Sequence, residues 1–347
     1  MTPLAIKACG MVTSVGFNAA AACAAIRAGI RNVHETNLWD AESGTYLAAG
    51  KVGLPHWWVG LGKLAELVSP AIFECVEAAK PVSPTSIPIL LCVSSPDRPY
   101  RFEGLDRTIL ELVQYRLDFP LHPRSRVIAR DHVAVLAALQ EGEQLLDMGE
   151  APCFIVAAVD SLIQQELVEH YLERRRLLTP KNSNGFSPGE AGSAILVGPA
   201  SLEPADELTI RGIGLARETA AIDSEEPLRG EGLIEAITQA LGQASCEIQD
   251  THYRITDLNG EHYKFKEMVF AMMRFERKPR KRLFDLWHPI EYIGDVGAAI
   301  GPLVLGVALH AGQKQYGIGP GVLCTFGNDN GERGALVAVS TRQPGIQ

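Results

Sequence analysis

With 347 residues, 46% of them hydrophobic and 33 of them glycine, the chain is long enough for one large core or for two fused halves. Aromatic residues make up only 7%, so the interior has to be built from Ala, Val, Leu and Ile with backbones close together. A formal net charge of -9 excludes a general nucleic-acid binder, because phosphate contacts need clustered Lys and Arg.

The seven cysteines, Cys9, Cys23, Cys75, Cys92, Cys153, Cys246 and Cys324, are scattered through apolar runs without a CxxC pair. That pattern fits reduced core thiols better than a disulfide framework. The amino-terminal stretch shows neither a basic leader nor a cleavage motif. No apolar run reaches spanning length without charges or helix breakers. These features predict a cytoplasmic protein with no membrane insertion and no nucleic-acid partner. The one basic run, Arg274 to Arg282, includes Glu276 and Pro279 and reads first as a solvated loop, second as a contact for an acidic partner.

In chain order, Leu4 to Cys9 reads as a strand and Gly10 to Gly16 as a glycine-bounded turn, after which Asn18 caps a helix over Ala19–Ala28 that Gly29 ends. Residues 31 to 62, with Trp39, Trp57 and Trp58, read as irregular. A helix follows over Leu64–Ala79, then a buried strand over Ile89–Ser95 and a helix over Leu105–Tyr115. Phe119 to Arg126 reads as a loop.

The polar triplet Arg130-Asp131-His132 leads straight into a helix from Val133 to Met148, apolar on nearly every side and stopped by Gly149. Such a helix is buried, so its amino end, with partial positive charge and unpaired N–H groups, points inward with His132 on it. The strand Cys153–Val159 comes next, followed by a helix over Gln164–Arg174 and a long loop from Leu178 to Gly192. Glu190 is expected to hold that loop's backbone amides. The strand Ser193–Val197 lies beyond it.

The order then partly repeats. Strands over Leu208–Leu215 and Tyr253–Leu258 alternate with helices over Gly232–Leu241 and His262–Phe275. A second small-residue helix opens at Gly294-Asp295 and stops near Gly312, and a hairpin from Val322 to Val339 closes the chain. Two similar α/β halves, residues 1–200 and 201–347, are therefore expected to pack their buried helices side by side.

With those residues in view, the chain resembles the β-ketoacyl synthases of the thiolase superfamily. Gly10 to Gly16 is similar to the family's first strand and turn, and Asn184 to Gly192 to its "DGFVPGEGA" loop. Gly294 to Gly301 is similar to "GHxxGAAG", and Thr325-Phe326-Gly327-Asn328 to the "SFGFGG" gate, which assigns Phe326 as a pocket gate. Core aromatic is the competing reading of Phe326. The resemblance implies the five-layered α-β-α-β-α thiolase-like fold and a dimer, with homodimer and heterodimer with a related subunit both open.

The same resemblance places the family's nucleophilic cysteine at His132, its first histidine at Asn259, beside Glu261, and its second at Asp295. The family lysine falls on Ile290. Condensation needs a thiolate and then donors for the charge that develops on a thioester oxygen, and removing one such donor costs about a hundredfold to a thousandfold. An imidazole at a helix amino end is biased towards its neutral form, and Asp295 is an acceptor when ionised. Condensing activity, that of a 3-oxoacyl-ACP synthase, is therefore not expected.

Three arrangements suit His132, Asn259, Glu261 and Asp295. His132 and Asp295 simply pair in the old pocket, or the four residues form a new constellation for hydrolysis or proton transfer, or His132, Asp295 and Glu261 hold a metal. The first leads, so neither metal nor cofactor is expected. Asp160-Ser161 reads as a turn or cap rather than a nucleophile. His262 and His288 read as surface histidines.

The resulting expectation is a non-condensing thiolase-fold protein that serves as a binding, partner or scaffold subunit. Superfamily members without the cysteine include chain-length factors, and similar proteins occur beside bacterial secretion-effector genes. The resemblance thus implies an acyl carrier protein or a secretion effector as further partners. The alternative is an acyl-thioester enzyme (acyltransferase, hydrolase or decarboxylase) using His132 with Asp295. An open tunnel around the polar residues favours the enzyme; a tunnel filled by bulky side chains favours the binding subunit.

Overall fold

The computed structural model describes residues 3–56, 58–202, 205–280 and 282–341. Its strands are β1 Leu4–Val12, β2 His34–Asp40, β3 Thr45–Ala49, β4 Ile89–Val93, β5 Arg126–Ala129, β6 Phe154–Ser161, β7 Glu190–Pro199, β8 Leu208–Arg217, β9 Tyr253–Thr256, β10 Asp285–Trp287, β11 Gly321–Gly327 and β12 Glu332–Ser340. All except the β2-β3 hairpin join one sheet, in the order β10-β9-β11-β12-β8-β1-β7-β6-β4-β5.

That order is duplicated about the short antiparallel ladder between β1 and β8. From β1 outward the pairings run antiparallel to β7, antiparallel to β6, parallel to β4 and parallel to β5. From β8 outward they run antiparallel to β12, antiparallel to β11, parallel to β9 and parallel to β10.

Central strands bury both faces, as β6 shows: Phe154, Val156 and Ala158 face one core, Ile155, Ala157 and Val159 another. The inner core holds the two apolar helices Ala134–Asp147 and Ile300–Gln313. Outside, Gly60–Ala78 and Leu105–Leu117 cover the first half, Glu231–Ala244 and His262–Phe275 the second. The result is the expected thiolase-like α/β fold with five layers.

Small residues set the spacing between those layers. A Cβ on Gly192 of β7 would lie 2.1 Å from the carbonyl oxygen of Leu67, and one on Gly214 of β8 1.9 Å from that of Ala236. Both outer helices thus rest on bare strand backbone.

Two segments differ from the expectation. Residues 31–62 contain the β2-β3 hairpin, where Trp39 meets Tyr46 edge-on at 5.0 Å, because its strands are largely exposed and carry no apolar alternation. Trp57 lies outside the described residues. The loop expected from Phe119 to Arg126 ends one residue into β5, whose four residues form the edge strand beside β4.

Glu190 also acts differently. It accepts from the Val52 amide at 3.1 Å and the Ser161 hydroxyl at 2.8 Å, and pairs with Lys63 at 2.5 Å, so it pins other segments rather than its own loop.

Gly192→Ala and Gly214→Ala are each expected to lower stability by about 1–3 kcal/mol, since backbone has to move to admit the methyl. Urea denaturation checks this, and unchanged midpoints would show that the layers have slack.

Candidate functional site

Asp131, in the left-handed conformation at φ 47°, turns the chain inward, and a 3₁₀ turn over Asp131–Val133 carries it into the helix Ala134–Asp147. His132 therefore sits buried at the amino end of the first central helix. A matching 3₁₀ turn over Gly297–Ala299 opens the second central helix.

The donors at both helix ends are occupied by side chains from the opposite half. Asp160 in β6 accepts from the Ala298 amide at 2.9 Å, while Asn328, just after β11, accepts from the Val133 amide at 3.4 Å. β6 and β11 hold the same place in the two strand orders. Asp295 accepts from the Gly297 amide at 3.0 Å.

His132 is tied chiefly to a residue the sequence reading passed over. Its Nδ1 lies 2.7 Å from Oδ2 of Asp257, which follows β9; Nε2 is 3.6 Å from Asp295, too far for a hydrogen bond. The same Asp257 oxygen accepts from the Gly327 amide at 2.9 Å and lies 3.4 Å from Nζ of Lys264. Burial opposes ionisation of Asp257, but Lys264 and His132 overcome it and hold the carboxyl well below its usual range.

Burial and Lys264 push the His132 pKa down, yet the bond to Asp257 and the charges of Asp295 and Asp257 outweigh them and leave it raised. The expected bias towards a neutral ring is thus reversed, because two carboxylates outweigh burial and Lys264.

The other predicted residues are near but differently engaged. Asn259 donates to Asp295 at 2.7 Å and to Glu261 at 3.2 Å. Glu261 is taken by Arg176 in a two-pronged pair at 2.7 and 2.8 Å, and Arg176 also reaches Asp329 at 2.6 Å. The set of His132, Asp295 and Glu261 is therefore not assembled around a common point, and no group of three His, Cys, Asp or Glu among the described residues is placed to hold a metal.

A cavity of about 240 Å³ lies in front of His132, with Asn259, Lys264, Asp295, Arg98, Arg176 and Tyr171 among its walls. Among the described residues no cysteine lines it. Glu261 is absent from the walls, and so is Phe326, which is buried in the inner core opposite Gly334 and lines a smaller pocket with Asp257, Lys264 and Arg333. Ser161 donates its hydroxyl to Glu190 at 2.8 Å and is not among the walls. His262 and His288 lie away from the cavity. The space is neither filled by bulky side chains nor an apolar tunnel; its walls are charged.

No protein-family model and no curated protein sequence matches the chain. Solved structures do. The ishigamide ketosynthase/chain length factor is 16% identical, with 97% of this chain and 99% of that one aligned at a TM-score of 0.70. A ketosynthase in complex with its chain length factor from Xenorhabdus doucetiae is 15% identical over 98% of both chains at 0.73. The type II polyketide synthase complex of an acyl-carrier protein with its hexaketide-bound ketosynthase is 12% identical over 98% and 99% at 0.79.

The chain has the ketosynthase fold. Within that fold, Asp257, Lys264, Arg98 and Arg176 complete the polar site, and the sequence reading missed all four. A signal existed for two of them: Asp257 is an acid directly after an apolar strand, and Lys264 falls in the first turn of the helix that follows.

Because the folded pKa of His132 lies above the unfolded value of about 6.5, its charge stabilises the fold fully below that value and the contribution is lost as pH rises through the folded pKa. The stability gap between wild type and His132→Gln should therefore shrink from about pH 6 to about pH 9. Urea titrations at the two pH values check it; a widening gap would restore the neutral ring.

Proposed function

We propose that this ketosynthase-fold chain is a non-condensing partner or scaffold subunit that pairs with a related chain, as chain-length factors do. One observation carries the reading: among the described residues no thiol lines the cavity, and the Asp257 carboxylate occupies the imidazole, ammonium and Gly327 amide that would have to serve a developing oxyanion. Charged walls disfavour an acyl chain as resident ligand. A heterodimer is supported by the names of the neighbours, and by β5, which pairs on one side with β4 and has no neighbour on the other in the sheet order. An acyl carrier protein is the next partner to test, a secretion effector the one after. Free cysteines are consistent with the cytoplasm.

A second reading has one observation in its favour. The dyad of His132 and Asp257 leaves Nε2 on the open cavity without a hydrogen bond, as a proton-transfer residue requires. The base would then be oriented by Asp257 rather than by Asp295.

Incubation with acyl and malonyl thioesters, alone and with carrier proteins, is expected to release no thiol above background by mass spectrometry. Turnover abolished by His132→Ala would overturn the partner reading in favour of the enzyme. For assembly, light scattering with a co-expressed ketosynthase-fold partner should give a complex that Val127→Pro in β5 weakens at least tenfold, on the order of the 1.4 kcal/mol that separates tenfold affinities. A wild-type chain that stays monomeric with every such partner would count against it.

A further inference from the structure

The walls of the cavity divide into groups already engaged and groups left over. Asp131 is paired with Arg98, Asp329 with Arg176, and Asp223 with Arg174 at 2.8 Å. Asp295 is held by Asn259 and the Gly297 amide, and Asp97 accepts from Ser95 and Asn330. The acceptors in the wall are thus spoken for.

What remains is a set of donors. Tyr171, on the helix Gln165–Glu173, is 6% exposed, and its hydroxyl makes no hydrogen bond to any described residue. Its ring is fixed edge-on against Phe186 at 5.1 Å, and the charges that act on its hydroxyl are those of Asp329, Arg98, Arg176 and Asp295, all of them wall residues. Lys264, 8% exposed, donates to Asp257 at 3.4 and 3.5 Å, which leaves one of its three N–H bonds over, and the Nε2 of His132, 3.6 Å from Asp295, has no hydrogen bond. Leaving the Tyr171 hydroxyl dry and unpartnered would cost about 1–3 kcal/mol.

We propose that the cavity is a reversible binding site for a small carboxylate-bearing molecule, whose oxygens accept from the Tyr171 hydroxyl and the Lys264 ammonium in front of His132. A volume of about 240 Å³ lies below the range of about 300–1,000 Å³ that suits drug-sized ligands, so the occupant is short. A carboxylate fits better than an amide because the Lys264 ammonium favours charge. The site stands whether or not the chain pairs with a second subunit, since its walls come from one chain.

The test uses the full chain and calorimetry with acetate, lactate and succinate, each against its amide. Saturable binding of at least one carboxylate, with its amide at least tenfold weaker, is expected. Tyr171→Phe, which keeps the ring against Phe186, should weaken that binding about tenfold to a hundredfold, while Tyr115→Phe on the exposed face of the helix Leu105–Leu117 leaves it unchanged. No binding of any carboxylate up to millimolar concentration, equal binding of acid and amide, or full affinity in Tyr171→Phe would each overturn the assignment.

Discussion

The buried carboxylate of Asp257 is the constraint on which the site depends. It is an anion fixed in the protein, satisfied by an imidazole, an ammonium and a backbone amide. A site built to stabilise charge that appears during a reaction must keep its donors waiting. Here they are already engaged, and His132 and Lys264 are held as much by Asp257 as they hold it. Removing one member would leave a buried charge without compensation, the costly direction for such clusters.

Around that anion the fold supplies two amino ends of apolar helices. Their burial follows from composition: with few aromatics, the inner layer closes on alanine, glycine and β-branched side chains. A Cβ on Gly301 would stand 2.7 Å from that of Val135, which measures how nearly the two helices touch. Close packing of this sort is what brings Asp295 and His132, 163 positions apart by numbering, into one pocket.

Much of this was legible in the sequence. Periodicity located the two buried helices, and Asn18 and Gly29 marked the first helix, where the Asn18 side chain accepts from the Ala21 amide at 2.8 Å. The motif spacing brought His132, Asn259 and Asp295 together. The remainder depended on side-chain direction. Which carboxylate meets an imidazole is settled by the turn after β9, and a run such as Asp257-Leu258-Asn259 does not say which way each residue faces. Arg176 and Arg98 were hidden because Arg176 ends a run of three arginines and Arg98 is one charge in a polar loop, and neither setting tells which side chain is buried and paired. For Phe326 a motif match gave the place in the chain but not which space its side chain lines, a smaller pocket beside the main cavity.

The exchange of caps between the halves has a consequence for how the chain came to be and how it comes apart. Asp160 closes a helix that begins 138 positions later, and Asn328 one that begins 195 positions earlier. A fragment ending near residue 200 would carry an open helix terminus in a greasy interior and a stranded aspartate besides. Whatever ancestral duplication the strand order records, the copies have since become mutually dependent, and the molecule should melt as one piece rather than as two.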